Sequence, residues 1–466
     1  MTDLKSRMEK MALNSPHWVE LRYHRRQSQA LSVQKGLVKQ ARSSVTAGVG
    51  IRVLVDGAWG FSSTSDLTEN ALERALKQAI ECGRSLSQMK KATLGKLPAV
   101  KLARGDFKLP GYDTLQAMSL EQKLQAVLQA EEKTRGKSGS IQSASCGYQE
   151  LFEDKIVVTS DGASAFSQLA RNEFRLSAVA EKQGEKSEGH RTIGKTGTWE
   201  CLFERESIDK MTEATAKLAV DLLQAPKVPG GTATLILSPA MVGLLSHEAI
   251  GHTVEADFVL SGSVAAGKLG QRVASPLVTL CDSGKVPQVV NGGGDLLVDD
   301  EGVLAGNTTI IKDGILSSYL HNRESAAHFG VEPTGSARAW LYHDEPLIRM
   351  RNTYILPGTQ SLDEIIASTE DGYLVDCPLG GQADATGEFM FGAQKVLRIE
   401  KGKVTGIFRG ATISGQAFQV LSTVDAVSKE FQLDLGAGYC GKGQPAKVDA
   451  GGPFIRCRAT IGGVQG

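Results

Sequence analysis

Hydrophobic and polar residues alternate along much of the N-terminal half of the chain, which is typical of antiparallel β-strands. The alternation first runs through residues 17 to 61, with Asp56-Gly57 as a hairpin turn inside it. After Asp66 the apolar residues change to helical spacing. We therefore expect a strand meander covered by a helix over residues 1–90.

A second block of the same kind is expected over residues 112–228. Ser119-Leu120-Glu121-Gln122 has the spacing of a capping box, which predicts a helix, and residues 140 to 195 return to a strand pattern. Within that range the charged and glycine-rich segment 182–195 is typical of a solvated loop. A third helix is predicted over about 204–223. The two blocks are joined by a segment from Lys90 to Leu115 that lacks periodicity and is predicted to be a connector.

The strongest domain boundary is the proline- and glycine-rich segment from Pro226 to Gly231. It divides the chain into an N-terminal domain, residues 1–228, and a C-terminal domain, residues 229–466. The second domain has hairpin turns between apolar runs and a further helix predicted from about 416 to 429. The fold class predicted is α+β, in which the C-terminal domain is mainly antiparallel β-sheet.

One helix of the C-terminal domain concentrates unusual chemistry. A buried strand ends before Ser238-Pro239, which supplies a capping hydroxyl and a proline suited to the first helical position. The helix that follows is apolar on most faces, yet it contains His247, Glu248 and His252. Burying these groups is unfavourable by several kcal/mol unless they are paired or bound to something.

The two histidines are five residues apart, whereas the familiar zinc-peptidase helix spaces them four apart. Five residues of a straight α-helix turn through about 140°, so the imidazoles would diverge. A shared metal therefore requires a π-bulge or a distortion near Gly251, which the missing side chain permits. The alternative is an ordinary helix whose His247 and His252 bond to separate neighbours.

Composition excludes several classes of partner. Lys plus Arg and Asp plus Glu both number 52 among 466 residues, so no basic field favours nucleic acid. No apolar segment is long enough to span a bilayer, and the first residues lack the apolar region of a secretory signal. Seven scattered cysteines without a C-x-x-C pair suit a reducing compartment. We expect a cytoplasmic protein without membrane or nucleic-acid partners.

A zinc site in an enzyme usually has three protein ligands, so one more ligand is needed besides the two histidines. Cys440 has the most persuasive setting, a glycine-rich turn beside Lys442 that would lower the pKa of the thiol and present its sulfur outward. Glu248 is better placed as general base than as ligand. The other candidate ligands are Glu255, Asp257, His321, His328 and His343.

Five sequence islands together resemble the TldD/PmbA family of metallopeptidases, on its metal-binding, TldD-like side. They are His-Glu-Ala-Ile-Gly-His at 247–252 with Glu255 and Asp257, the acidic stretch 299–302, Arg351 to Gly358, Gly380 to Gly387, and the turn 440–442. This chain departs from the family pattern at Ala256, where glycine is usual.

The resemblance implies that His247, His252 and Cys440 are ligands of Zn²⁺ and that Glu248 is the catalytic base. It also implies a dimer, formed with itself or with a PmbA-like subunit, that cleaves unfolded or leader peptides. Two other hypotheses remain open on sequence grounds. One is a non-catalytic regulatory or binding subunit of the gyrase-modulator kind, and the other is a metal-dependent hydrolase of a non-peptide amide.

Overall fold

The N-terminal part of the chain consists of long strands with helices packed on them. The structure is a computed structural model that describes residues 2–89 and 97–463. In chain order its first elements are α1 (Thr2–Asn14), β1 (Trp18–Gln34), β2 (Leu37–Val55), β3 (Ala58–Thr64), α2 (Glu69–Met89), β4 (Arg104–Lys108), α3 (Tyr112–Ala117), α4 (Leu120–Gly136), β5 (Ile141–Thr159), β6 (Ser164–Lys182), β7 (Glu185–Thr196) and α5 (Ile208–Leu222).

Within the described residues, seven strands of this part form one sheet in the order β3-β2-β1-β5-β6-β4, with β7 also paired to β6. Asp56 and Gly57 make the hairpin turn from β2 to β3 with positive φ angles, as the sequence predicts. The capping box at the start of α4 is also confirmed, because the Ser119 and Gln122 side chains bond each other's backbone N–H groups.

Two local predictions in this part are wrong, and one predicted helix starts later than expected. The segment 182–195 is not a solvated loop, because β7 pairs along β6 and its charged side chains suit an exposed edge strand. The helix predicted from 204 begins only at Ile208, where Ser207 caps it. The predicted connector contains β4, which pairs in parallel with β6, while its residues 90–96 lie outside the described residues.

The C-terminal part continues with mostly short strands before a set of long ones. Its elements are β8 (Gly231–Leu237), α6 (Pro239–Leu244), α7 (Ala256–Leu260), β9 (Leu280–Ser283), β10 (Asn307–Lys312), β11 (Ile315–Leu316), α8 (Arg323–Phe329), β12 (Ala337–Arg338), β13 (Leu347–Ile348), β14 (Asn352–Ile355), α9 (Leu362–Ala367), β15 (Asp371–Ala383), β16 (Glu388–Glu400), β17 (Lys403–Gln416), α10 (Ala417–Ser422), β18 (Ala426–Leu433), β19 (Tyr439–Gly441), β20 (Pro445–Lys447) and β21 (Asp449–Gly463).

The main C-terminal sheet runs β11-β10-β9-β14-β21-β17-β16-β15-β8, and β8 pairs again with β21, so that five of its strands close on themselves. Most of its pairs are antiparallel. The α+β fold class with a mainly antiparallel C-terminal sheet is confirmed. The division at residues 228 and 229 falls between α5 and β8 and stays a prediction.

The helix predicted over 416–429 is confirmed only in its first half, because α10 ends at Ser422. The residues from Ala426 onward form β18 and pair with β21, so pairing within the sheet overrides the local helical pattern there. Among the described residues, no helix is both long enough and apolar enough to cross a bilayer.

The helix α6 positions the candidate site against the closed strands. It begins at Pro239 as predicted, and its apolar side chains lie in the largest buried cluster of the C-terminal part. Gly243 faces the backbone of Ala450 in β21 so closely that a Cβ would overlap it. The missing side chain therefore lets α6 lie directly on the sheet.

Candidate metal centre

The helix changes its geometry between the two histidines. Residues Leu245–Gly251 form a π-helical turn, in which the backbone N–H of His252 donates to the carbonyl oxygen of His247. A 3₁₀ turn, His252–Val254, follows before α7. The wider turn brings residue i+5 under residue i, so the imidazole rings lie 5.3 Å apart between centroids instead of diverging. The distortion that the five-residue spacing predicts is confirmed.

Gly251 is required by packing as well as by helix geometry. A Cβ at this position would overlap Sδ of Met350, which is fully buried, and would approach the carbonyl oxygen of Ser246. The π-turn therefore fits its neighbours only with glycine at this position.

Cys440 reaches the two histidines from a different element. It lies in β19, which forms a small hairpin with β20, and its Sγ is 3.0 Å from Nε2 of His252. One potential ligand atom each from His247, His252 and Cys440 lie within 4.8 Å of one another. The expectation of an outward-facing thiol in a glycine turn is wrong, because Cys440 is a buried strand residue.

The donor set fits a zinc ion. His247 is 3% exposed, and neither of its ring nitrogens has a hydrogen-bond partner among the residues that the structure describes. An unpartnered buried polar group is unfavourable for stability, and a metal ion at this position would remove that cost. Two imidazoles with one thiolate form a set of ligands that suits Zn²⁺ and leaves a fourth position for water or substrate.

Electrostatics prepare the thiol for this role. Burial raises the pKa of Cys440, but His247 and His252 outweigh burial and bring the pKa down to about 4. Burial lowers the pKa of His252, whereas its bonds to Cys440 and Glu255 raise the pKa to about 10. Both pKa shifts favour a thiolate beside an imidazolium, and a metal ion bound here would displace that proton.

The histidines, and not Lys442, are responsible for the low pKa of the thiol. The Lys442 ammonium lies 2.8 Å from Oε2 of Glu255 and also contacts the carboxylate of Asp257. Glu255 is fully buried, and its Oε2 lies 3.4 Å from Nδ1 of His252. Lys442 and Glu255 therefore orient the ring of His252 so that its Nε2 faces Cys440.

Glu248 lies beside the three donors and remains accessible. Its side chain is 27% exposed, and Oε2 is 3.6 Å from Nε2 of His252. A carboxylate in this place can reach a substrate and a water molecule at the site, as a general base must.

The other candidate ligands lie elsewhere or have other partners. Glu255 and Asp257 bind Lys442. His321 is buried against Ser325, and burial lowers its pKa to about 4. His328 and His343 make edge-to-face contacts with the rings of their neighbours Phe329 and Tyr342. Ala256, the departure from the family pattern, is fully buried as the first residue of α7.

Sequence reasoning missed Arg349. This residue is fully buried, and its guanidinium donates to the carbonyl oxygens of Cys440 and Gln444 at 2.6 and 2.7 Å. Arg349 thus holds the hairpin that carries the thiol. No local motif marks this arginine, since its partners lie in a distant segment of the chain.

Comparison with known protein families matches the chain in three segments. Residues 19–82 match PmbA/TldA metallopeptidase domain 1, residues 113–223 match the central domain, and residues 230–463 match the C-terminal domain. A metalloprotease of Methanothermobacter thermautotrophicus is 32% identical over 99% of this chain and 97% of that protein. A zinc metalloprotease TldD homolog of Saccharolobus solfataricus is 28% identical over 96% of both chains.

Solved structures share the fold over nearly the whole chain. A Thermotoga maritima protein described as a suggested modulator of a DNA gyrase superposes with a TM-score of 0.79 at 20% identity, covering 99% of both chains. TldE from Thermococcus kodakarensis superposes with a TM-score of 0.75 at 21% identity, covering 98% of both chains. Together with the domain matches and the relatives above 30% identity, these findings show that the chain belongs to the TldD/PmbA family of metallopeptidases.

Proposed function

We propose that this protein is a zinc-dependent peptidase in which His247, His252 and Cys440 hold the metal and Glu248 is the general base. The observation that carries the proposal is the convergence of three donor atoms within 4.8 Å, with both ring nitrogens of His247 lacking a hydrogen-bond partner in the described part of the chain. The names of its relatives support the same chemistry, because they are metalloproteases and one is a zinc metalloprotease.

Zinc bound at this site supplies Lewis-acid chemistry, polarising a peptide carbonyl and lowering the pKa of a water molecule. The protein's own part begins with Glu248, whose carboxylate accepts the proton of the attacking water and can then pass it to the leaving amine. Glu255 and Lys442 keep the ring of His252 fixed while this happens. Burial of His247 and Cys440 excludes bulk water behind the reacting groups.

The proposed substrates are unfolded or leader peptides, and the proposed location is the cytoplasm. All seven cysteines are free, which suits a reducing compartment. We also propose that the chain acts as a dimer, with itself or with a PmbA-like subunit. The likeness in fold to TldE supports the second arrangement, since two chains of one fold can form a pseudo-symmetric pair.

The substitution Glu248→Gln separates catalysis from metal binding. We expect it to retain the metal of the wild type and to lower the rate of peptide cleavage by about 10²–10⁴-fold, because the amide cannot accept the proton. Cleavage of an unstructured peptide, followed by mass spectrometry, measures the rate. Glu345→Gln, an exposed change elsewhere, is the control. Undiminished cleavage by Glu248→Gln with metal bound would remove Glu248 from the mechanism.

A further inference from the structure

A small cavity lies beside the hairpin that carries Cys440. Its walls include Pro445, Ala446 and Lys447 of β20, together with residues of β1, β5 and β6 from the N-terminal part. In the hairpin, Cys440 is paired with Ala446 and Tyr439 with Lys447. His247, His252 and Cys440 are not among the residues that line the cavity, so the cavity is separate from the metal centre.

Positive charge dominates the lining of this cavity. One carboxylate, that of Glu153, lines it together with five cationic side chains, those of Arg26, Lys155, Arg171, Arg338 and Lys447. Four of the cations have a carboxylate partner at short distance: Lys155 binds Asp300 at 2.9 Å, Arg171 and Arg26 bind Glu153 at 2.6 and 2.7 Å, and Lys447 binds Glu173 at 2.5 Å. Arg26 therefore shares its carboxylate with Arg171, and Arg338 pairs with no carboxylate among the described residues.

Arg338 is a buried cation whose charge is not balanced by a paired carboxylate in the described chain. It is 8% exposed, and within residues 2–89 and 97–463 its side chain donates one hydrogen bond, to the carbonyl oxygen of Met350 at 2.6 Å. Burial, together with the charges of Arg171 and Arg349, lowers the pKa of Arg338 to about 9. A buried guanidinium without a carboxylate partner is unfavourable and calls for a counter-ion.

Arg26 faces the same space with unused donors. It is also 8% exposed, and its Nη2 binds Glu153 at 2.7 Å, whereas its Nε and Nη1 are buried and have no hydrogen-bond partner in the described chain. The indole ring of Trp340 stacks on the guanidinium at 3.5 Å and fixes its plane. Two arginines thus offer preorganised N–H donors to one small volume.

We propose that this cavity is a binding site for a small oxyanion, held by Arg26 and Arg338. The planar fork of an arginine matches a carboxylate, a phosphate or a sulfate. The space open to the centre of a water-sized sphere is about 20 Å³, above the roughly 10–15 Å³ that one water needs, so the cavity has room for one small group and not for a folded segment. Pro445 is exposed and Trp340 is half-buried, so the cavity borders the protein surface on this side.

The test is a titration of thermal unfolding with inorganic phosphate at constant ionic strength. We expect a saturable rise of the unfolding midpoint for the wild type and for Arg42→Met, an exposed control on β2. Arg338→Met should weaken the apparent affinity for phosphate at least tenfold, and Arg26→Met, read independently, should do the same. No saturable rise in the wild type, or unchanged affinity in both variants, overturns the proposal.

Two further experiments show where the anion binds and whether it comes from a peptide or from free solution. The variant His247→Ala should keep the phosphate response, whereas loss of the response there would assign the anion to the metal centre and overturn the proposal. Short peptides with a free or an amidated C-terminus are then added as competitors. Competition by the free carboxylate alone supports a peptide as the source of the anion, and absence of competition by either peptide supports a free inorganic anion at the same site.

Discussion

At the scale of single residues, Gly251 decides whether the two histidines can share a ligand. The five-residue spacing brings both rings to one side only when the helix widens between them, and the widened turn packs against Met350. The space that a side chain would need is already filled by a fully buried residue. A change at this position should therefore disturb stability and the metal site together.

Gly251→Ala tests this requirement. We expect it to lower the free energy of unfolding by roughly 1–3 kcal/mol, because the new methyl group overlaps Met350, and to reduce the metal content. Gly139→Ala is the matched control, since a Cβ there meets no atom within 4 Å. Urea unfolding and metal analysis of both variants measure the effects. Equal stability of the two variants would show that the π-turn tolerates a side chain.

At the scale of elements, the metal centre combines residues of the π-turn and of β19, and contacts of Glu255 hold these two elements in place. The π-turn supplies His247 and His252, and β19 supplies Cys440. Glu255, just after the 3₁₀ turn, contacts both His252 and Lys442, and Lys442 belongs to the loop between β19 and β20. This buried carboxylate therefore ties the helical segment to the hairpin.

Glu255→Gln tests whether Glu255 aligns the helical segment with the hairpin. We expect it to weaken the affinity for zinc by about 10–100-fold, because the neutral amide no longer orients the ring of His252 or holds Lys442. Asp257→Asn is the matched control, since Asp257 lies two residues further on in α7 and contacts Lys442, whereas the described contacts of Asp257 do not include His252. Competition with a chromogenic chelator measures both affinities. An equal loss in the two variants would argue against orientation of His252 by Glu255.

The sequence predicted some of these elements and not others, for physical reasons. The start at Pro239 and the distortion before His252 follow from local rules, a proline at the first turn and the angle per residue of a helix. The strand position of Cys440 and the role of Arg349 depend on contacts between distant segments. The second half of the helix predicted over 416–429 is wrong because β18 gains more from pairing with β21 than from its own helical pattern.

At the scale of the whole molecule, the N-terminal sheet contacts the hairpin that carries Cys440. Glu173 of β6 is 2% exposed and accepts hydrogen bonds from the hydroxyl of Tyr439 at 2.6 Å and from the ammonium of Lys447 at 2.5 Å. These two residues flank Cys440 and its strand partner in the hairpin. The buried carboxylate of Glu173 thus connects the N-terminal sheet to the hairpin that carries the thiol.

Glu173→Ala tests this connection. We expect a loss of about 3–5 kcal/mol in the free energy of unfolding, because Lys447 is left buried without its partner, and a weaker affinity for zinc because the hairpin loosens. Glu185→Ala also removes a link between the two parts, the pair of Glu185 with Arg409, but that pair is exposed and should contribute about 1 kcal/mol or less. Urea unfolding compares the two; similar losses would contradict the account.

The most direct test of the account is the zinc content of the purified protein and of Cys440→Ala. We predict about one zinc per chain in the wild type, as expected for one three-ligand site. The same content is predicted for Cys457→Ala, which removes a buried thiol from β21. In Cys440→Ala, zinc and peptide cleavage should both fall close to background. Full zinc occupancy in Cys440→Ala would contradict the assignment of His247, His252 and Cys440 as the metal site.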